Sequence, residues 1–247
     1  MIQNNVAKGI HLVSHANVNC YIVQQDERFM MVDAGLPAMW GMITDAIRAL
    51  GLAPERAEAL VLTHAHFDHL GVAARMQKEY GTPLWIHPQD AYIAMHPYRY
   101  KHQKARWAYP FKYPRAIPIL GKMVLAGAMN VKGVNHFLPL APGPMPALPG
   151  APKVLYVPGH TNGHCALHFP DRNTLITGDA LVTLDPYTAR KGPRIVAAAA
   201  TADTTQALES LMQLAAAEAH TILPGHGGPY HGGIAEAVAH ARSLPIL

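Results

Sequence analysis

Five short apolar runs in this chain lead, within a few residues, into a histidine or an aspartate, and that repeated ending constrains the fold more than any other feature. Phe29-Met30-Met31-Val32 runs into Asp33-Ala34-Gly35, and Ala59-Leu60-Val61-Leu62 into Thr63-His64. Val154-Leu155-Tyr156-Val157 runs into Pro158-Gly159-His160, Thr174-Leu175-Ile176-Thr177 into Gly178-Asp179, and Thr221-Ile222-Leu223 into Pro224-Gly225-His226. Runs this short, bounded by Gly and Pro, read as buried strands. A glycine beside the polar residue lets the backbone bend sharply and approach a ligand closely. Polar groups gathered at strand ends on a rigid sheet suit an active site.

The densest ending is Thr63-His64-Ala65-His66-Phe67-Asp68-His69, which packs three imidazoles and a carboxylate into six residues. These are side chains that hold divalent transition metals. Alternation along an extended segment puts His64 and His66 on one side. A turn after them lets Asp68 and His69 face a second position, so one loop can feed two ions. The alternative, a histidine-rich surface loop, leaves the other strand-end residues without a role.

His64-x-His66-x-Asp68-His69, Gly159-His160-Thr161, Gly178-Asp179 and Pro224-Gly225-His226-Gly227, in that order, resemble the metallo-β-lactamase-fold hydrolases. The matching elements run from about Asp33 to His226. The resemblance implies an α/β fold, a four-layer αββα sandwich. It implies two divalent ions per chain, zinc by default, with iron or manganese suited to the same ligands. His64, His66 and His160 would hold one ion, and Asp68, His69 and His226 the other, with Asp179 bridging both. A divalent ion brings the pKa of bound water to near 7, and the resulting hydroxide attacks an electrophilic centre. Asp68 would then carry the proton to the leaving group. Asp33 would orient a ligand imidazole through its free N–H, unless it is simply the turn residue of Asp-Ala-Gly. His164, four residues after His160, reads as a supporting residue rather than a ligand.

Within the family, the residues point to the branch of small hydrolases that includes glyoxalase II and the lactonases, with an ester, lactone or thioester as substrate. Little more than 20 residues follow His226, too few for glyoxalase II's C-terminal helical domain. Val182 stands three residues after Asp179, where the lactonases carry a tyrosine, so Tyr187 or Tyr230 would have to stand in. Two other readings stay open: a metal-dependent phosphodiesterase or nuclease, and a mononuclear iron sulfur dioxygenase. The full set of second-position ligands favours the dinuclear hydrolase.

Composition sets limits on this picture. At 247 residues, half of them apolar, the chain is long enough for one large domain with a substantial core. No apolar run reaches the length of a membrane span, and no basic-then-apolar start reads as a secretory signal, so a cytoplasmic location is expected. Two distant cysteines imply no disulfide framework. Cys165 lies near His160, but the alternation His164 to Phe169 reads as a strand with Cys165 a packing residue. Val18 to Val23 and Phe29 to Val32 read as a hairpin. Helices are expected over Ala38 to Leu50, Leu70 to Tyr80, Thr204 to Ala219 and Gly233 to Ser243, with Asp203 or Thr204 capping the third. His87, His96, His102, His136, His231 and His240 read as surface or cap residues.

From Ala91 to Pro170 there is no acidic residue, while nine Lys and Arg give a formal charge of +9. The rest of the chain holds eleven basic and sixteen acidic residues, a net of −5. The segment also carries interleaved aromatics, and prolines at 97, 110, 114 and 118 that argue against one long helix. Roughly Ala91 to Ala151 reads as an inserted cap. Three uses are open: holding an anionic substrate through Arg99, Lys101, Lys104 and Arg106; resting on a membrane surface or nucleic acid; or forming a solvated basic face with a homodimer contact.

Overall fold

The computed structural model describes all 247 residues, Met1–Leu247. Two sheets face one another. The first has seven strands, Ile2–Ala7, Ile10–His15, Val18–Gln25, Arg28–Val32, Leu60–Val61, Leu84–Ile86 and Leu138–Pro139, in that spatial order. Its first four strands form an antiparallel meander and the last three add in parallel. The second sheet orders Thr221–Pro224, Thr174–Gly178, Cys165–Phe169, Lys153–Tyr156 and Gly143–Pro144. Val182–Leu184 and Lys191–Arg194 make a separate hairpin.

Strand alternation divides the core into three layers. Tyr21, Val23, Met30 and Val32 face Leu167, Phe169, Ile176 and Leu223 between the sheets. Cys20, Ile22 and Met31 point the other way, onto Ile43, Ile47 and Met76 of the helices Trp40–Ala49 and Ala73–Tyr80. On the far side, Ala166, Leu175 and Ile222 pack against Leu211, Leu214 and Val238 of Thr204–Ala215 and Ile234–Ser243. This is the αββα sandwich. Strands buried on both faces explain why the runs read as continuously apolar rather than alternating. No helix is long and apolar enough to cross a membrane.

The helices differ from expectation where the chain makes distant contacts. The segment expected to be one helix from Leu70 is two, Phe67–Leu70 and Ala73–Tyr80. Between them the Gly71 and Val72 amides donate to the carbonyls of Gly35 and Ala34, at 2.8 and 3.1 Å, instead of continuing the helix. Asp203 caps the late helix, its carboxylate accepting from the Gln206 amide at 3.0 Å. That helix ends at Ala215 rather than Ala219.

The segment from 91 to 151 forms short helices, Ala91–Met95, Tyr109–Lys112 and Ile117–Leu125. Pro110 and Pro118 sit in the first turns of the last two, where the missing N–H costs nothing. Its last part returns to the sheets as edge strands, Leu138–Pro139 on the first and Gly143–Pro144 on the second.

Candidate metal centre

The strand ends bring all seven candidate ligands to one buried place. Three overlapping groups, His64/His66/His160, His64/His69/Asp179 and Asp68/His69/His226, each hold their ligand atoms within 4.8 Å of one another. His66 Nδ1 and His160 Nε2 are 3.0 Å apart, and His226 Nε2 lies 3.2 Å from both Asp68 Oδ2 and Asp179 Oδ2. Asp179 Oδ1 is 3.4 Å from His69 Nε2.

The outer nitrogen of four imidazoles is tied to a group that must accept. His226 Nδ1 meets the Asn17 carbonyl at 2.7 Å, and His69 Nδ1 meets Asp33 Oδ2 at 2.9 Å. Thr63 donates its hydroxyl to Asp33 and so accepts from His64 Nδ1 at 3.1 Å. Thr201 donates to the Val196 carbonyl and so accepts from His160 Nδ1 at 3.3 Å. In each case Nδ1 carries a proton, so wherever the ring is neutral Nε2 presents a lone pair inwards. His64 Nε2, His69 Nε2 and Asp179 Oδ1 are buried with no hydrogen-bond partner. Orphaned buried donors and acceptors are rare, and a cation among them satisfies all three. The residues present therefore fit a metal centre.

Glycines permit the crowding. A Cβ on Gly225 would collide with Asp179 Oδ1 and come within 2.7 Å of His69 Cε1. Gly178, at φ +50°, leaves room for Thr63 and for His164. His164 Nε2 accepts the Asp179 amide at 3.0 Å, so it positions that carboxylate from behind. Asp33 is wholly buried at φ +63° and binds Thr63 through its amide as well as its hydroxyl. Cys165 instead packs between the sheets, a free thiol with its pKa pushed up to about 12 by burial.

Beside the His66 and His160 rings opens a cavity of about 260 Å³, with Arg99, Tyr100 and Lys101 in its wall. The Tyr100 ring lies 3.9 Å from that of His66, and the Arg106 guanidinium stands over the Tyr100 ring at 4.0 Å. Lys104 is exposed and does not line the cavity. Tyr187 approaches Tyr100 and Asp68, whereas Tyr230 is engaged with Glu236 at 2.6 Å.

Comparison with known proteins agrees with this arrangement. The model of the metallo-beta-lactamase superfamily matches residues 15–226. The chain belongs to that superfamily of metallo-hydrolases. It is 28% identical over 235 residues to a probable metallo-hydrolase, YflN, of Bacillus subtilis strain 168, covering 92% of this chain and 86% of that one. Its fold is similar to a metallo-beta-lactamase family protein of Thermus thermophilus, at a TM-score of 0.69 and 23% identity, covering 96% of this chain and 79% of that one. It is also similar to TTHA1623 in a di-iron-bound form, at a TM-score of 0.67 and 23% identity, covering 94% and 98%.

The charges of this superfamily member's cluster follow from burial set against nearby carboxylates. Burial, with repulsion from neighbouring imidazoles, holds His64 and His66 well below the ordinary histidine value. Burial, only partly offset by Asp179, pushes His160 down to about 4. Burial acts on His69 and His226 too, but there the carboxylates prevail. Asp33 and Asp179 hold His69 well above its usual value, and Asp179 with Asp68 pushes His226 up to about 10. Asp179 is likewise desolvated, yet His226 and His69 keep its carboxyl well below the usual range.

Two supports escaped the sequence. Asp90, fully buried, accepts from the Ala65 amide, the Thr161 hydroxyl and the Gly163 amide at 3.1, 2.7 and 2.7 Å. It thereby ties the loop of His64 and His66 to the loop of His160. Asn19 Nδ2 donates to the Pro224 and Gly227 carbonyls at 2.8 and 2.7 Å, and the Tyr21 hydroxyl donates to Pro224 at 2.6 Å. The first sheet thus clamps the loop of His226. The one signal for Asp90 was its place as the last acid before the acid-free segment.

Proposed function

We propose that this chain is a dinuclear hydrolase of small esters, lactones or thioesters. His64, His66 and His160 would hold one divalent ion and Asp68, His69 and His226 the other, with Asp179 serving both. The observation that carries this reading is the overlap of the three ligand groups, since His64 and His69 each belong to two of them. Overlapping triads describe two adjacent positions rather than one. When bound, a divalent pair makes water acidic enough to ionise near neutral pH and polarises a carbonyl oxygen. Zinc is the default for this donor set, and iron or manganese suits it as well.

The chain's own residues do the rest. Asp68, at the edge of the cluster and 3.2 Å from His226 Nε2, takes up the proton of the attacking water and returns it to the leaving group. Arg99 and Lys101 hold an anionic part of the substrate from the cavity wall, with Arg106 behind Tyr100 adding positive potential. Tyr187, which approaches Tyr100 and Asp68, donates its phenol proton to a substrate oxygen, burial pushing that phenol up to about 12. A cavity of about 260 Å³ suits a small molecule rather than a polynucleotide. The two free, buried thiols suit a reducing, cytoplasmic setting.

Metal analysis of the purified protein, with turnover of a lactone, an acyl thioester, an aryl phosphodiester and a persulfide, tests the reading. Two ions per chain and cleavage of the lactone or thioester are expected. One iron per chain with persulfide oxidation would replace it by the dioxygenase reading.

A further inference from the structure

Ten of the fourteen large apolar side chains exposed on this protein lie between residues 91 and 151. Trp107, Phe111 and Leu125 are 75%, 84% and 88% exposed, more than core packing alone would leave uncovered. Trp107 and Phe111 are four residues apart across a 3-10 turn that runs into the helix Tyr109–Lys112, so they share a face. Ile117 and Val124, seven apart on the helix Ile117–Leu125, share another, and both are 53% exposed. So many exposed apolar groups on one segment point to an interaction surface.

Next to these residues is a cleft of about 510 Å³ whose wall carries Lys112, Arg115, Arg190, Lys191 and Arg194 and no carboxylate. Lys112 follows Phe111, and Arg115 is two residues before Ile117, so the basic cleft and the apolar faces are continuous along the chain. Asp185 attracts Arg194 from behind the cleft, but no carboxylate in its wall faces Lys112, Arg115, Arg190 or Lys191, so these cations repel one another until an anion enters. Arg194 is mostly buried there, with Nε and Nη2 turned onto the carbonyls of Gly192 and Lys191. The fold therefore fixes this guanidinium at the cleft rather than leaving it free in solvent.

We infer that the cap docks on an anionic phospholipid bilayer, with headgroup phosphates in the Lys112–Arg115–Arg190–Lys191–Arg194 cleft and Trp107, Phe111, Ile117, Val124 and Leu125 at the level of the acyl chains. Charge decides between this and the other occupants. The segment from 91 to 151 holds eight Lys and Arg and no Asp or Glu. A second copy presenting the same face would oppose two such charges, which disfavours a symmetric dimer here. A polynucleotide would satisfy the cations but leave Leu125, Val124 and Ile117 in water. An anionic bilayer satisfies both, as amphipathic segments with Trp, Phe and Leu beside Lys and Arg do at membrane surfaces. The inference does not depend on the metal reading, because none of the docking residues is a candidate ligand.

The test is co-sedimentation of the full-length protein with phosphatidylcholine vesicles, with and without phosphatidylglycerol. Binding only to the phosphatidylglycerol vesicles is expected, falling steeply with added salt. Lys112→Gln with Arg115→Gln should weaken it about fivefold per charge removed. Trp107→Ser with Phe111→Ser and Leu125→Ser should abolish it while melting at the wild-type temperature. Trp107→Phe should keep the binding and lose the lipid-induced shift of tryptophan emission. Equal binding to both vesicles, or none, overturns the inference. So does soluble glycerol phosphate displacing the protein at low concentration, which would assign the cleft to a free phosphoester. A wild-type dimer that the Trp107 triple variant dissociates, or tighter binding to a polynucleotide than to the anionic vesicles, overturns it as well.

Discussion

His64, His66 and His160 on one side of the candidate centre, and Asp68, His69 and His226 on the other, are equally buried, yet in the metal-free chain the first three rings are neutral while His69 and His226 are protonated. The rings of His64 and His69 are only 4.1 Å apart. Burial alone would leave every imidazole neutral. Only where a carboxylate stands directly against the ring, as Asp33 does at His69 and Asp68 and Asp179 do at His226, is the proton kept. The first group is ready to coordinate as it stands, while the second must release protons to do so. On this reading, one centre contains two positions with different pH dependence.

The largest effect should come from the residue that belongs to the second group and to the chemistry. Asp68→Asn should lower kcat by about 10²–10⁴-fold with KM less affected, while the fold and the first ion persist. A fully loaded Asp68→Asn enzyme turning over at the wild-type rate would remove Asp68 from proton transfer.

Asp33→Asn sharpens the comparison, since it takes away one of the carboxylates that orient and charge His69. Metal affinity should fall about 10–100-fold at the second position and little at the first. Competition with a chelator, followed ion by ion, reads this directly, and equal losses at both positions would break the distinction.

Acidification should separate the two positions without any substitution. Protons compete for His69 and His226 first, so the second ion should leave at a higher pH than the first, passing through a stage of one ion per chain. Release of both ions in a single step on dialysis would show that Asp179 couples them too tightly to be told apart.

The smallest effect is on the metal-free fold. His226, raised from 6.5 to about 10, stabilises it fully below pH 6.5, and that contribution is lost as the pH rises towards 10. His160, lowered from 6.5 to about 4, contributes fully above pH 6.5, and that part is lost as the pH falls through about 4. Chelator-treated protein should therefore melt highest near pH 6.5, with Tm falling on both flanks by about 2–4 °C per kcal/mol lost. Bound metal should raise Tm most on the alkaline flank. A Tm that climbed steadily from pH 6.5 to 10 without metal would contradict the charge assigned to His226.

Much of this was legible in the sequence because the chemistry sits where local pattern is strongest. An apolar run that stops at Gly-His or Gly-Asp reports both a strand and what stands at its end, so the strands and the histidines and aspartates that the fold gathers were readable from short windows. The supports were not, because each acts across a distance that no window spans. Asp90 serves by accepting two backbone amides, and amides leave no trace in residue identity. The break at Gly71 depends on carbonyls of Gly35 and Ala34, and helical periodicity alone runs straight through it. Tyr187 and Tyr230 looked interchangeable until the hairpin at Val182–Leu184 brought one inwards and Glu236 engaged the other.

The clamp of Asn19, Tyr21 and Asn17 on the loop of His226 joins the beginning of the chain to nearly its end. During synthesis the ribosome delivers His64, His66 and His69 long before the strand Thr221–Pro224 emerges, and contacts of such long range form late. A nascent or truncated chain would therefore carry half a centre, able to capture an ion but not to seat the second. On the two-ion reading, only a chain that has folded past His226 closes both positions, so the arrival of the second ion would report that the two ends of the sandwich have met.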